Sequence, residues 1–350
     1  MQPAAQRHLQ QLTHEREILE PVDLALPDGR LNRQAVGWSR RPLQRCALPG
    51  GWPARKRWNF WGVQTDTHLL RMTYACTDYL GILDVGLLDY ASGQNAHSSQ
   101  YGFFQRQLRF PAQVVAGPLR FARQGFELCI DEEPPGTRLK ASFSDRAHRF
   151  EVDVLVEQPP AHESLSVVIP WNEHRFQFTS KHNTRPARGS AVLDGKTYGF
   201  DSDNHAYGVL DYGRGVWPYN TTWNWASASG RQGEHVVGLN LGGQWTDGTG
   251  MTENGLCIDG RLHKIGDDLV WEYDRKDFSR PWRIRAPHSQ RVDLTFTPRL
   301  NEAQRVELLI ARSELHWALG TFSGTIVDDL GEELGIDGLL GWAEEHRARW

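Results

Sequence analysis

No stretch of this chain approaches the roughly 18 apolar residues that a membrane span needs, and residues 1–11 hold no apolar segment like that of a signal peptide. Both absences point to a cytoplasmic protein with no stable membrane insertion. Cysteine is scarce: Cys46, Cys76, Cys129 and Cys257 are scattered, form no CxxC pair and sit mostly in apolar runs. Buried thiols are therefore expected, with no disulfide framework and no zinc site. A surplus of either charge is missing too. The formal charge of −4, with the signs evenly mixed, excludes the concentrated basic patch that nucleic acid requires. The phosphate loop GxxxxGKS/T, a Rossmann fingerprint after a strand, HExxH and a nucleophile elbow are all absent, so neither a nucleotide, a metal nor another cofactor is expected.

What the chain does have is 14 tryptophans and 34 glycines. Aromatics bury large areas and glycines permit tight turns, a pairing that suits many short strands joined by hairpins. Period-two alternation runs through most of the sequence, as at residues 69–75, 150–156 and 236–241, with Gly, Pro, Asn and Asp between the runs. Residues 1–20 read as a short amphipathic helix or arm, and residues 336–349 as a closing C-terminal helix.

The most informative pattern is an internal echo. Trp58, Asn59, Phe60 and Trp61 precede a strand-like run at 68–75, and Trp223, Asn224 and Trp225 precede another at 235–241, an offset of 165 residues between Trp58 and Trp223. That offset is far longer than the 20 to 50 residues of solenoid and propeller repeats, so each copy is a domain-sized unit. The expected fold is all-β: two tandem antiparallel barrels with a few short helices, the first over residues 21–197 and the second over 198–350. A unit of this size suits a small barrel able to hold one apolar ligand.

Residues 201–225 form the densest polar and aromatic cluster. His205, Tyr207, Asp211, Arg214, Trp217, Tyr219, Trp223 and Trp225 combine an acid, proton carriers and large aromatic walls. On a strand, Tyr207, Val209 and Asp211 share one face. If that face looks into an aromatic cavity, Asp211 is a candidate proton donor, with His205 and Tyr207 orienting it. The bland alternative has Asp211 bonded to local backbone before Gly213 or paired with Arg214. Arg214, Trp217, Tyr219, Trp223 and Trp225 are candidate ligand contacts, joined by Glu253 and Asn254 from the loop at 244–254. A third cluster, Trp171 to Phe176 with Lys181, His182 and Asn183, is placed to line the interface between the units.

The residues Gly37, Trp38, Arg40, Pro42, Trp58 and Trp61, with the runs at 210–215, 217–226, 238–242, 246–254 and 259–264, resemble the bacterial family known as domain of unknown function 2804. The chain is more remotely similar to double lipocalin-like proteins that include carotenoid hydratases and tocopherol cyclases. In those proteins the second domain opens with an acidic strand followed by a Trp-rich one, as Asp211 and then Trp223 and Trp225 do here. The likeness implies that the two tandem antiparallel barrels are lipocalin-like and, from its hydratase-like members, an acid that protonates an alkene. This chain departs from it by placing Arg214 where those members tend to have Trp, and Tyr212 where they have a histidine beside the acid. Two functions stay open: a cofactor-free hydratase, cyclase or isomerase of an apolar or amphipathic lipid or isoprenoid-like molecule, and a non-catalytic carrier of such a molecule.

Overall fold

The computed structural model describes residues 13–104, 107–307 and 311–350. Among these, regular structure is β-sheet apart from one short 3-10 turn, Arg33–Ala35. Two large antiparallel sheets each curl into a half-barrel.

The two sheets share one plan. In the first, a meander of Arg55–Gln64, His68–Cys76, Leu80–Asp89 and Asn95–Phe103 is followed by a run of Leu119–Arg123, Phe126–Glu133, Gly136–Ser144, Arg149–Glu157 and the long strand Arg175–Leu193. In the second, the meander is Asn220–Gln232, His235–Gly243, Asn254–Ile258 and Arg261–Ile265, and the run is Val270–Glu272, Trp282–Arg285, Val292–Glu307, Arg312–Val327 and Glu333–Arg349. The echo of Trp58 and Trp223 thus corresponds to the leading strand of each meander.

The halves differ at one seam. Asn220–Gln232 pairs directly with Glu333–Arg349, whereas Tyr207–Val216 is intercalated between Arg55–Gln64 and Arg175–Leu193. The 207–216 segment, read from sequence as the opening of the second unit, therefore hydrogen-bonds wholly within the first sheet. The change of sheet falls between Val216 and Asn220, not at residue 198.

Residues 336–349 correct the sequence reading: they lie in the strand Glu333–Arg349, not in a helix. Ala, Glu and Arg favour helix locally. Here the segment has a strand on each side, Asn220–Gln232 and Arg312–Val327, and its side chains alternate between two buried layers. Residues 1–12 lie outside the described residues. Residues 13–20 form no helix but an extended arm, bridged through Glu17 to Trp38 and anchored by the buried Glu15, which pairs with Lys264 of the second sheet.

Each half-barrel has its own core, with Leu70, Phe126, Phe178 and Tyr212 in the first and Leu239, Trp282, Phe296 and Ala343 in the second. Two further clusters draw on both sheets, one containing Trp38, Ile169, Trp217 and Trp245 and the other Leu69, Val209, Trp317 and Trp342. Ten of the 14 tryptophans belong to or pack on these two clusters. Their first role is therefore to join the halves. Trp217, only 3% exposed, stacks on Trp245 at 5.4 Å and meets Trp58, Trp171, Trp223 and Trp350. Aromatic pairs of this kind contribute about 0.5–1.5 kcal/mol each beyond area burial.

Candidate functional site

Strand parity decides where the acid points. Leu210 and Tyr212 enter the first core, so Asp211 between them faces out of that half-barrel toward the second sheet. Tyr207 and Val209 share its face, and Val209 packs against Trp225 and Trp342 in the layer between the sheets. Gly213 keeps this face close to its neighbour: a Cβ there would stand 2.2 Å from the Trp58 ring.

Asp211 lies opposite Lys181 in the ladder. The Lys181 Nζ is 2.8 Å from Asp211 Oδ1 and 3.1 Å from Glu253 Oε2, and it sits 4.4 Å over the Trp225 ring. The Thr179 hydroxyl also donates to Asp211, at 3.3 Å. Glu253 accepts from the Trp245 indole at 2.7 Å. A third carboxyl, Glu344 on the strand Glu333–Arg349, accepts from the Trp223 indole at 2.9 Å and lies close enough to feel the charges of Asp211, Lys181 and Glu253.

Two carboxylates thus share one ammonium in an aromatic layer, with a third carboxyl, Glu344, close by. Burial pushes Glu344 up to about 7, with the negative charge of Asp211 adding to the effect and the Trp223 N–H opposing it. Burial also raises Glu253, against the pull of Lys181. For Lys181, burial alone would lower the ammonium, but Asp211 and Glu253 outweigh it and leave it raised. The site therefore holds a carboxyl that keeps its proton near neutral pH beside an ion-paired carboxylate. The Asp211 side chain is 13% exposed and Glu344 is partly exposed, so both reach solvent at the edge of the layer.

The other expected residues scatter. Arg214 points the opposite way, into the first half-barrel, and donates to the Trp58 carbonyl and Asn59 Oδ1, each at 2.7 Å. Its guanidinium lies 3.8 Å from the Tyr212 ring centroid. The pairing of Asp211 with Arg214 does not occur, because residues three apart on a strand face opposite sides. Trp223 and Trp225 do border the carboxyl cluster, whereas Trp217 is packed within the tryptophan stack. Tyr219 is exposed where the chain passes between the sheets. Asn254 splits from Glu253: its side chain holds the Gly242 N–H at 2.6 Å and the Asp267 carbonyl at 2.9 Å, locking a loop.

His205 occupies an exposed turn with its Nδ1 2.7 Å from Asp66. With Tyr207 it lines a separate cavity of about 680 Å³ between the sheets. Lys181 and Glu344 carry the cluster without having been singled out as site residues. Lys181 appeared in the sequence only as an interface residue, and Glu344 was hidden by the helical reading of 336–349. As a strand, that segment puts Trp342, Glu344 and His346 on one face, opposite Ser227, Trp225 and Trp223.

The chain belongs to the family described as domain of unknown function (DUF2804), whose model matches residues 15–350. No curated protein matches it. Among solved structures, kievitone hydratase from Nectria haematococca is 10% identical, covers 86% of this chain and 89% of its own, and superposes with a TM-score of 0.50. A putative AttH from Nitrosomonas europaea is 12% identical over 84% of this chain and 92% of its own, with a TM-score of 0.47. The fold is thus the double lipocalin-like one.

Proposed function

We propose that this member of the DUF2804 family acts on a small, unsaturated apolar or amphipathic molecule at the layer between its half-barrels, by proton transfer without a cofactor, as a hydratase or isomerase does. The observation that supports this reading is the Glu344 carboxyl, held up to about 7 beside the Lys181–Asp211 ion pair and under Trp223. An acid with this value is matched to proton donation near neutral pH. The donor role expected of Asp211 passes to Glu344, and Asp211 becomes the base.

Glu344 delivers its proton to one carbon of a double bond, leaving a cation at the other. The ring of Trp223, whose indole binds Glu344, stabilises that cation by about 0.5–2 kcal/mol, while Trp225 already carries the Lys181 ammonium. In hydration, water adds to the cation and gives up a proton to Asp211. In isomerisation, Asp211 takes the proton from the adjoining carbon. Either way the proton returns through the cluster to Glu344, and no electrons are exchanged. One solved structure of similar fold is named a hydratase, but fold carries no chemistry by itself.

One observation favours simple binding instead: the cavity of about 680 Å³ is lined by neither Asp211 nor Glu344. Native mass spectrometry of protein purified from its own host identifies a copurifying ligand. Glu344→Gln and Asp211→Asn are then assayed on that ligand or its unsaturated precursor. Retained binding with turnover reduced about 10²- to 10⁴-fold supports catalysis. Unchanged turnover in Glu344→Gln would sink the proton-donor role.

A further inference from the structure

Three residues along the strand from Lys181, Thr184 begins the wall of the cavity. Its backbone has φ +55° at a bulge between His182 and Arg185, a conformation rarely adopted by a β-branched residue and costing on the order of 1–3 kcal/mol. The local contacts hold it there. The Ser229 hydroxyl accepts from the Thr184 N–H at 3.1 Å, and the Thr184 hydroxyl lies 3.0 Å from His162 Nε2 and 3.2 Å from Cys257 Sγ. The bulge brings Thr184, Pro186 and Ala187 into one wall, facing Arg231 and Val236 of the second sheet.

The volume, about 680 Å³, falls within the roughly 300–1,000 Å³ of small-molecule sites. Pro159, Ala161, Pro186, Ala206 and Val236 make much of the lining apolar. The charged groups around it are unequally partnered. Asp66 is engaged by His205 and Asp259 by His235, each at 2.7 Å. Arg231 neighbours the Tyr207 hydroxyl and feels Asp259 at longer range, but among the described residues no carboxylate lies within ion-pair distance of it. Behind the wall Arg185, 1% exposed, has no carboxylate partner among the described residues and donates instead to the Gln158 side-chain oxygen at 2.7 Å. It also donates to the His162 carbonyl at 3.4 Å, and its Nε has no hydrogen-bond partner. Burial lowers Arg185 to about 10, which leaves it charged at neutral pH, and burial with Arg185 lowers His162 to about 4, which leaves the imidazole neutral. Much of the wall is apolar, and among the described residues neither guanidinium has a carboxylate partner.

We propose that this cavity binds a small amphipathic anion, with a carboxylate or similar head group at Arg231 and Tyr207 and an apolar body against Pro159, Ala161, Pro186 and Val236. This rests on the binding reading and is independent of the acid–base one. Dodecanoate and the neutral dye Nile red serve as probes, titrated into the full-length protein by calorimetry and by fluorescence. The expected result is that both bind, that Arg231→Gln weakens dodecanoate about tenfold while leaving Nile red unchanged, and that Val236→Trp, which fills the cavity, abolishes both. Unchanged dodecanoate affinity in Arg231→Gln overturns the anionic head group while leaving binding intact. Failure of the wild type to bind either probe overturns the binding reading itself. Co-sedimentation with phosphatidylglycerol vesicles that depends on Arg231, without binding of monomeric dodecanoate, overturns the free-ligand form in favour of a lipid surface.

Discussion

The two half-barrels repeat one strand order, yet only the first carries an intercalated strand. In the second sheet the leading strand of the meander meets the last strand of the run directly. In the first, the corresponding strands are held apart by Tyr207–Val216. Lys181 and Glu344 lie on corresponding strands of the two halves, Arg175–Leu193 and Glu333–Arg349. Asp211 lies on the strand that has no counterpart. The difference teaches that the candidate site arises where the repeat is broken: one added strand supplies the carboxylate that pairs with the ammonium of one half and lies near the carboxyl of the other. The interiors diverge as well, since the first buries the cation Arg214 among aromatic rings while the second buries an anion, Glu345, on the strand face it shares with Ala343.

Removing the ammonium should break this arrangement most severely. Lys181→Met strands Asp211 and Glu253 without their shared cation, and unfolding in urea should show a loss of about 3–5 kcal/mol. Adding Glu253→Gln should recover part of it, so the double variant loses less than the sum of the singles. Additive losses would mean that the two groups do not interact.

Glu344 gives the second test. Its folded-state value, about 7, lies above the ordinary glutamate value of 4.5, so between these limits the folded protein binds more protons than the unfolded chain. The stability this contributes is complete below about pH 4.5 and is lost as pH rises through about 7. Urea midpoints measured from mildly acidic to mildly basic pH should fall by the equivalent of roughly 2–3 kcal/mol from this group. Glu132, also raised to about 7 by burial, changes with the same sign. The part abolished by Glu344→Gln isolates the cluster, and an identical pH profile in that variant would remove Glu344 from it.

The seam itself can be strained. Gly213→Ala drives a methyl into the Trp58 ring and should cost about 1–3 kcal/mol, measured by thermal unfolding. Tolerance of the alanine would show that the intercalated strand has slack. The smallest effect belongs to His205→Ala: its exposed pair with Asp66 contributes under about 1 kcal/mol, and turnover should be unaffected. A large loss of turnover there would move the chemistry to the cavity.

Alternation made much of the fold legible. The period of two at 69–75 and 236–241 follows from strands buried on one or both faces, and the Trp58 and Trp223 segments marked where each meander begins. Residues 336–349 were misread because local propensity favours helix while pairing on both sides dictates strand. The site was half legible. Asp211 and Glu253 stood out as acids among aromatics and glycines, but their shared partner, Lys181, is 30 residues from one and 72 from the other, and nothing local announces it. Arg214 misled because adjacency in sequence suggested a pair that strand parity forbids.

The intercalated strand also constrains how the molecule is made. Arg55–Gln64 cannot complete its pairing until residues 207–216 have been synthesised, and Asn220–Gln232 must await residues 341–349. Each half therefore emerges with a bare strand edge flanking a row of aromatic side chains, the combination most open to wrong partners. Contacts this distant along the chain make folding slow. The same seam that assembles the carboxyl cluster thus cannot close until nearly the whole chain has been made.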